Sequence, residues 1–573
     1  MSARAVWFGP PGRPLFGWLH APDDGEARGA VVLCPTVGVQ ATCAQRAYRM
    51  LAARLAEAGW LVVRFDLGGT GNSAGRLEEE RVVRGWAADV GAAMEVAQAS
   101  GATRVSLVGM RLGATLAAVA AAERGHVPSL VLWDPCEDGR TFVREQKALR
   151  AAAIEELPLS DEAGGVEILG AMLPAQLVAD LEQLRIAADA DLADRTLVLV
   201  RTGRSRTRRR LDSLSGEVEW AEAEGQAELV DVLPRDAIVP EVTLERIVAW
   251  LEGTPKSPFR VETAGSSEAA VLDVGDALVT ERPVRMGPQN LFGVVGEPLG
   301  APAGPPVVFL NAGQIDHVGP ARLWVEMARE FAARGRPTLR FDLSGLGESP
   351  PPANRPGAVS YPPEALTDIA VALRSLASLG PGGVTLIGLC SGAYHAIEAA
   401  VTLDDAGLEI SRVVAVNPVL HFDTPPAWSE AGYGEEQQTA QPFRPWIQWL
   451  RRFDTLARLG ERWVPAGLWW VLDRSGLQPH PARGFATLAE RQVPTLLVCG
   501  DVEASHFQRR AKWALRRARR SGFLRFEVMP QADHTLFGAA ARARADALVR
   551  RWVLGDQQVV RTTGPGELKL GAG

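Results

Sequence analysis

Short apolar runs alternate with stretches of helical periodicity along the chain. In the C-terminal half, Val307-Val-Phe-Leu310 predicts a buried strand, and amphipathic spacing near 320–335 predicts a helix behind it. Strands are expected at 338–342, 384–388, 412–416 and 495–499, with helices around 364–378 and from 391 onward. Continuous β-branched runs, rather than apolar–polar alternation, mark strands covered on both faces. The alternation therefore predicts a mostly parallel, doubly covered α/β sheet, whose ligands bind beyond the carboxyl ends of its strands.

The pattern occurs twice. Arg64-Phe-Asp-Leu-Gly-Gly-Thr-Gly-Asn-Ser73 returns as Arg340-Phe-Asp-Leu-Ser-Gly-Leu-Gly-Glu-Ser349, and Leu15-Phe-Gly17 returns as Leu291-Phe-Gly293, both at an offset of 276 positions. A period this long means a duplicated domain rather than a solenoid. The expected domains are 1–255 and 268–560, joined by a Pro/Ser/Gly-rich linker at 256–267 and followed by a flexible tail at 561–573. Residues 418–490 are too long for a simple connection and hold six of the 16 tryptophans (Trp428, Trp446, Trp449, Trp463, Trp469 and Trp470). They are expected to form a helical cap over an apolar acyl pocket.

Chemistry concentrates at the strand ends of the second half. Val384-Thr-Leu-Ile387 runs into Gly388-Leu389-Cys390-Ser391-Gly392 and then a helical stretch, the strand–turn–helix context of a nucleophile elbow. A nucleophile there lies at a helix N-terminus, where the dipole and free N–H groups attract negative charge. Asp501 and Glu503 follow a late strand, and His534 follows the next, which gives the order nucleophile, acid, histidine. His534 takes the thiol proton in this reading, and Glu503, or Asp501 close behind it, fixes the histidine tautomer. Backbone N–H groups of Ser391 and of the turn Ala312-Gly313-Gln314 are the expected oxyanion hole. Ser391 is a rival nucleophile one residue out of register. Asp316 and His317 are expected to line the pocket or sit in solvent, and His395 to pack.

The first half keeps the frame without the chemistry. Its elbow is Gly109-Met-Arg111-Leu-Gly113, and arginine is no nucleophile at neutral pH. The acid position falls on Arg206, within a basic run expected to be a solvated helix face, and the histidine position falls on Gln226. This half is read as a degenerate, non-catalytic copy. Arg111 is expected to have a structural or partner-docking role, with anion binding as the rival reading.

Composition narrows the setting. The 573 residues carry 61 basic and 68 acidic side chains, net −7, so bulk charge gives no reason to expect nucleic acid or an anionic membrane. Only Lys147, Lys256, Lys512 and Lys569 are lysines, the usage of a GC-rich bacterial genome. The five cysteines are scattered, without a C-x-x-C pair, so no disulfide framework or zinc site is expected, and no cofactor is implied. Neither a signal-peptide core nor a membrane span is legible, which leaves a cytoplasmic protein acting on a small-molecule or carrier-bound acyl substrate. Homo-oligomerisation stays open.

Both halves resemble α/β-hydrolases. The second, with Asn311-Ala-Gly, Val318-Gly-Pro320 and Gly388-Leu-Cys-Ser-Gly-Ala393, is similar to the first type of the paired hydrolases associated with bacterial exosortase A systems. The first, with Gly71-Asn-Ser-Ala-Gly75, Trp86-Ala-Ala-Asp89 and Gly109-Met-Arg-Leu-Gly-Ala114, resembles the second type, including its arginine elbow. The resemblance implies two tandem α/β-hydrolase folds and a hydrolase or acyltransferase, without a substrate. A cysteine elbow also resembles those of dienelactone hydrolases and polyhydroxyalkanoate synthases, although the duplicated layout argues against the latter. Ester or thioester hydrolysis is the leading expectation. The alternatives are acyl transfer from the same acyl-cysteine, or a scaffold with two relic elbows.

Overall fold

A computed structural model describes residues 2–79, 82–154, 165–187, 189–203, 205–262, 264–353, 355, 358–376, 380–403, 409–418, 481–510 and 512–555. The proposed tail and nearly all of the proposed cap, including its tryptophans, lie outside these residues. The last part of the cap range is a helix, Pro481–Glu490, whose Phe485 and Leu488 are buried in the core of the second half.

The first half folds around an eight-stranded sheet. From one edge its strands are Ser2–Phe8, Leu15–Ala21, Leu61–Phe65, Ala30–Cys34, Val105–Met110, Val127–Trp133, Ala193–Val200 and Glu217–Glu222. Pairing is antiparallel across the first three strands and parallel beyond. The strands Ala30–Cys34, Leu61–Phe65 and Val105–Met110 are buried at every position, as the uninterrupted apolar runs require. The second half repeats the order with one extra strand: Ala270–Val274, Ala277–Met286, Leu291–Pro298, Thr338–Phe341, Val307–Phe309, Val384–Leu389, Ile410–Val416, Thr495–Gly500 and Leu524–Met529. Expected elements and observed ones agree to within two or three residues at most ends.

Each half is covered by helices on both faces, the crossovers that parallel pairing requires. The helix Val39–Glu57 of the first half corresponds to Leu323–Ala333 of the second, both ending one turn before the repeated motif strand. The connection 256–267 is no free tether, because Phe259–Arg260 pairs with Glu26–Ala27 and Ser267 exchanges backbone hydrogen bonds with Trp7.

The repeated motif proves to be architecture rather than catalysis. Asp66 Oδ2 accepts the Asn72 N–H, and Asp342 Oδ2 accepts the Glu348 N–H (2.8 and 2.9 Å). Ser73 and Ser349 hydroxyls each donate to the carbonyl of that aspartate at 2.6 Å. Glycine is needed between them: a Cβ on Gly71 or Gly347 would stand 2.2 Å from the aspartate side chain. These two loops also join the halves. Arg64 holds Glu348 in a bidentate pair (2.8 and 2.9 Å), and its counterpart Arg340 donates to Asn72 Oδ1 (2.7 Å), the position equivalent to Glu348. The pairing is reciprocal, as in an isologous dimer interface, although both partners belong to one chain. Trp7, Phe16 and Trp18 of the first half pack with Leu272, Phe292 and Val294 of the second in one apolar cluster across the joint.

Candidate active site

Strand Val384–Leu389 passes into helix Ser391–Thr402 through a single residue, Cys390, held at φ 56° and ψ −117°. A side chain at positive φ is strained, and such strain persists only where the surroundings impose it. Here a Cβ on Gly388 would lie 2.1 Å from the Gly392 carbonyl carbon, and one on Gly392 would lie 2.5 Å from the Asn311 oxygen. The Cys390 N–H donates to Val416 O (3.0 Å), tying the elbow to the next strand.

Two further strand ends bring the acid and the histidine. His534 Nδ1 is 2.8 Å from Glu503 Oε1. Asp501, the other expected acid, instead accepts the Gln531 N–H at 2.9 Å. The two acids separate because a helix, Asp501–Arg510, starts immediately after the strand, and positions two apart on a helix point to opposite sides. Burial works against the charged imidazole of His534. The Cys390 thiol and the Glu503 carboxylate outweigh it and raise its pKa from 6.5 to about 10. Its Nε2 is buried without a hydrogen-bond partner among the described residues, on the same pocket wall as Cys390.

The structure separates the expected oxyanion donors. Ser391 accepts the Gly313 N–H on its hydroxyl oxygen (2.9 Å), which commits both groups to each other. Ser391 is therefore a tie between elbow and turn rather than a rival nucleophile aimed at the pocket. The Ser391 N–H sits in the first helical turn, where the helix offers it no acceptor, and the Ala312 N–H makes no hydrogen bond among the described residues. Ala312, Gly313 and Gln314 all line the pocket with Cys390 and His534.

Sequence reasoning missed four contributions. Asn417, at φ 42°, donates to His534 O (2.9 Å) and accepts the Gly500 N–H (2.7 Å), so it joins the ends of three strands. Tyr361 sets its hydroxyl beside the thiol, and burial, reinforced by Cys390, keeps it protonated. Leu233 and Pro234 of the first half form part of the pocket wall. The first half also supports the histidine loop: Glu167 Oε1 accepts the N–H of Ala539, which begins helix Ala539–Leu554 (2.9 Å). Nothing in the sequence ties 167 or 233 to a site more than a hundred residues away.

One expectation and one rival reading are corrected. His317 neither lines the pocket nor meets solvent. Its Nδ1 bonds Asp342 (2.8 Å) and its Nε2 meets Asn72 Nδ2 (3.0 Å), so it is buried in the joint between halves, and Asp316 beside it is only partly exposed. Arg111 offers no anion site, because its guanidinium is fully buried on Asp134 (3.0 Å) and Glu145. It keeps the elbow geometry, at φ 56° and ψ −122°. His395 packs as expected, between Tyr361 and Tyr394. Gln226 is buried at the start of helix Gln226–Val230, and position 206 lies on helix Ser205–Leu211. Among the described residues no helix is long and apolar enough to cross a membrane.

Comparison with known proteins follows the same division. A profile described as the alpha/beta hydrolase family matches residues 307–549, and one described as serine aminopeptidase, S33, matches residues 25–205. No curated protein matches the sequence. Similar solved structures include Est1E from Butyrivibrio proteoclasticus with ferulic acid bound (14% identity, 43% of this chain and 98% of that one, TM-score 0.34). Others are the esterase Pf2001 from Pyrococcus furiosus (15%, 44% and 93%, 0.30) and dienelactone hydrolase from Anabaena variabilis (14%, 50% and 99%, 0.28). With both sheets, both elbows and both profiles in register, the chain consists of two α/β-hydrolase domains in tandem.

Proposed function

We propose that the chain hydrolyses carboxylic ester or thioester bonds at one site, in its second half, through an acyl-cysteine. The observation that carries this reading is the chain of contacts from Glu503 to His534 Nδ1, with Nε2 left unbonded on the wall it shares with Cys390. His534 takes the Cys390 proton, and Sγ attacks the carbonyl carbon. The tetrahedral oxyanion is received by the N–H groups of Ser391 and Ala312. The imidazolium then protonates the departing alcohol or thiol as the C–O or C–S bond breaks. Water, deprotonated by neutral His534, attacks the acyl-cysteine and releases the acid and the thiol. Glu503 keeps Nδ1 protonated throughout, so Nε2 is the nitrogen that exchanges the proton. The cysteine elbow in one half and the arginine elbow in the other also match what the resemblance to paired exosortase A hydrolases implies.

The test is a panel of acyl esters and acyl-thioesters with the full chain. Cys390→Ala is expected to lose turnover by about 10³-fold or more, while the wild type, stopped in mid-reaction, carries an acyl mass on Cys390. Full turnover in Cys390→Ala would end the proposal. Faster turnover with added alcohol or amine would assign the same acyl-cysteine to acyl transfer.

A further inference from the structure

The joint between the halves is reciprocal in its pairs but not in its arginines. Arg322 of the second half donates to three carbonyls of the first half's motif loop, those of Gly71 (2.9 Å), Ser73 (2.6 Å) and Gly75 (3.0 Å). Its counterpart at the repeat offset is Arg46, on helix Val39–Glu57. Arg46 makes no such bonds. It lines a cavity between the halves together with Gln45, Arg49, Gly345 and Gly347. Arg49, one turn along the helix, likewise makes no hydrogen bond or ion pair among the described residues.

Charge in this cavity is unbalanced. The carboxylate facing Arg49 is Glu348, which already holds Arg64 through both oxygens and also accepts from Gln45 (2.7 Å). Arg285 adds a further cation against Glu348. Asp342, the next carboxylate, is taken by His317, and Asp236, at the edge, is paired with Arg235. Burial lowers the Arg49 pKa, and crowding by Arg64 and Arg46 adds to it, against the pull of Glu348, which Arg49 shares with Arg64, and of Asp342. Pro234 and Gln314 line this cavity and the pocket that contains Cys390 and His534 alike, so the two spaces share a wall.

We propose that this cavity binds a phosphoryl group carried by the leaving group of the acyl substrate, with Arg46 and Arg49 as its ligands. The assignment rests on the acyl-cysteine reading and gives that site a substrate class: a thioester or ester whose alcohol or thiol side bears phosphate. Guanidinium forks match phosphate oxygens in geometry and charge, and the first half supplies both arginines. Its role is then recognition of the part of the substrate that leaves.

Two measurements on the full chain test this. The first is calorimetric titration with inorganic pyrophosphate, which needs no turnover. Wild type is expected to bind it, and Arg46→Gln/Arg49→Gln to bind it about ten-fold more weakly. No binding by wild type, or equal binding by both proteins, overturns the proposal whatever the fate of Cys390. The second compares one acyl chain as its coenzyme A thioester and as its N-acetylcysteamine thioester. The double variant is expected to lower the ratio of kcat/KM between the two about ten-fold, with partial recovery in Arg49→Lys. An unchanged ratio overturns the phosphoryl assignment and leaves the acyl-cysteine reading standing. The single variant Arg46→Gln, at an exposed position, repeats both measurements should the double variant fold poorly.

Discussion

Glu503→Gln keeps the size of the side chain and removes the charge that fixes His534. The amide can present its N–H to Nδ1, which would favour the wrong tautomer and leave Nε2 protonated without a driving charge. A fall in kcat of about 10³-fold or more is expected, and iodoacetamide labelling of Cys390 at neutral pH should slow in parallel. Asp501→Asn removes the charge but keeps an amide oxygen able to accept the Gln531 N–H, and should leave kcat within a few-fold of wild type. Equal losses in the two variants would contradict the assignment of Glu503. From sequence, the pair 501 and 503 stayed ambiguous because a strand end says nothing about whether a loop or a helix follows. One helical turn places Glu503 beside His534 and turns Asp501 toward the Gln531 N–H. Cys390 and His534 were legible because glycine spacing and chain order constrain them strongly. Asn417 and Tyr361 were not, since an asparagine after a strand and a tyrosine in a proline-rich loop carry no spacing signal.

At the level of elements, the two elbows show how much of a catalytic motif is scaffolding. Arg111 and Cys390 share one strained backbone conformation, and the glycines around each are excluded from bearing a Cβ by the same contacts. The first copy keeps the elbow geometry with an arginine at its centre, held there by Asp134 and Glu145. The helix Ala539–Leu554 has a different dependence. Its first N–H is accepted by Glu167 of the other half, a residue itself buried against Arg150 (3.1 Å). Glu167→Ala leaves Arg150 buried and one helix N–H unmet, which should cost about 3 kcal/mol in chemical denaturation. Because the same helix follows the histidine loop, kcat should fall as well, although no atom of Glu167 belongs to the pocket. The strands and helices themselves were well read from periodicity. The loop 311–317 was not: whether a polar loop faces solvent or a second domain depends on docking, which no local pattern records.

For the whole molecule, the joint holds, among the described residues, one buried ion pair, Arg64–Glu348, within a set of hydrogen bonds that cross it. Glu348 is buried, and burial alone would raise its pKa. Arg64 and Arg49 reverse that and hold it at about 2, against 4.5 in an unfolded chain. A carboxylate depressed in this way contributes stability that is fully present above about pH 4.5 and is lost as the pH falls toward 2. Acid titration of the melting temperature should show a steeper drop in that window for wild type than for Glu348→Gln. Identical slopes would mean that the pair adds nothing to the fold. The duplication was plain in the sequence at an offset of 276. That the copies meet through their most similar segment was not, since identical motifs invite a catalytic reading before a structural one.

The reciprocity of that joint has a consequence for self-association. Arg340 faces Asn72, whereas the equivalent of Asn72 in its own half is Glu348. Two second halves set face to face about a true dyad would therefore offer two arginine–glutamate pairs in place of one. The first half occupies this face in the intact chain and would keep Arg340 and Glu348 of two copies from meeting, Arg340 being also held by Glu281 of its own half (2.9 Å). Cutting the chain in the connection at 256–267 and separating the parts should turn the second half into a homodimer by light scattering, while the intact chain would remain single through this face.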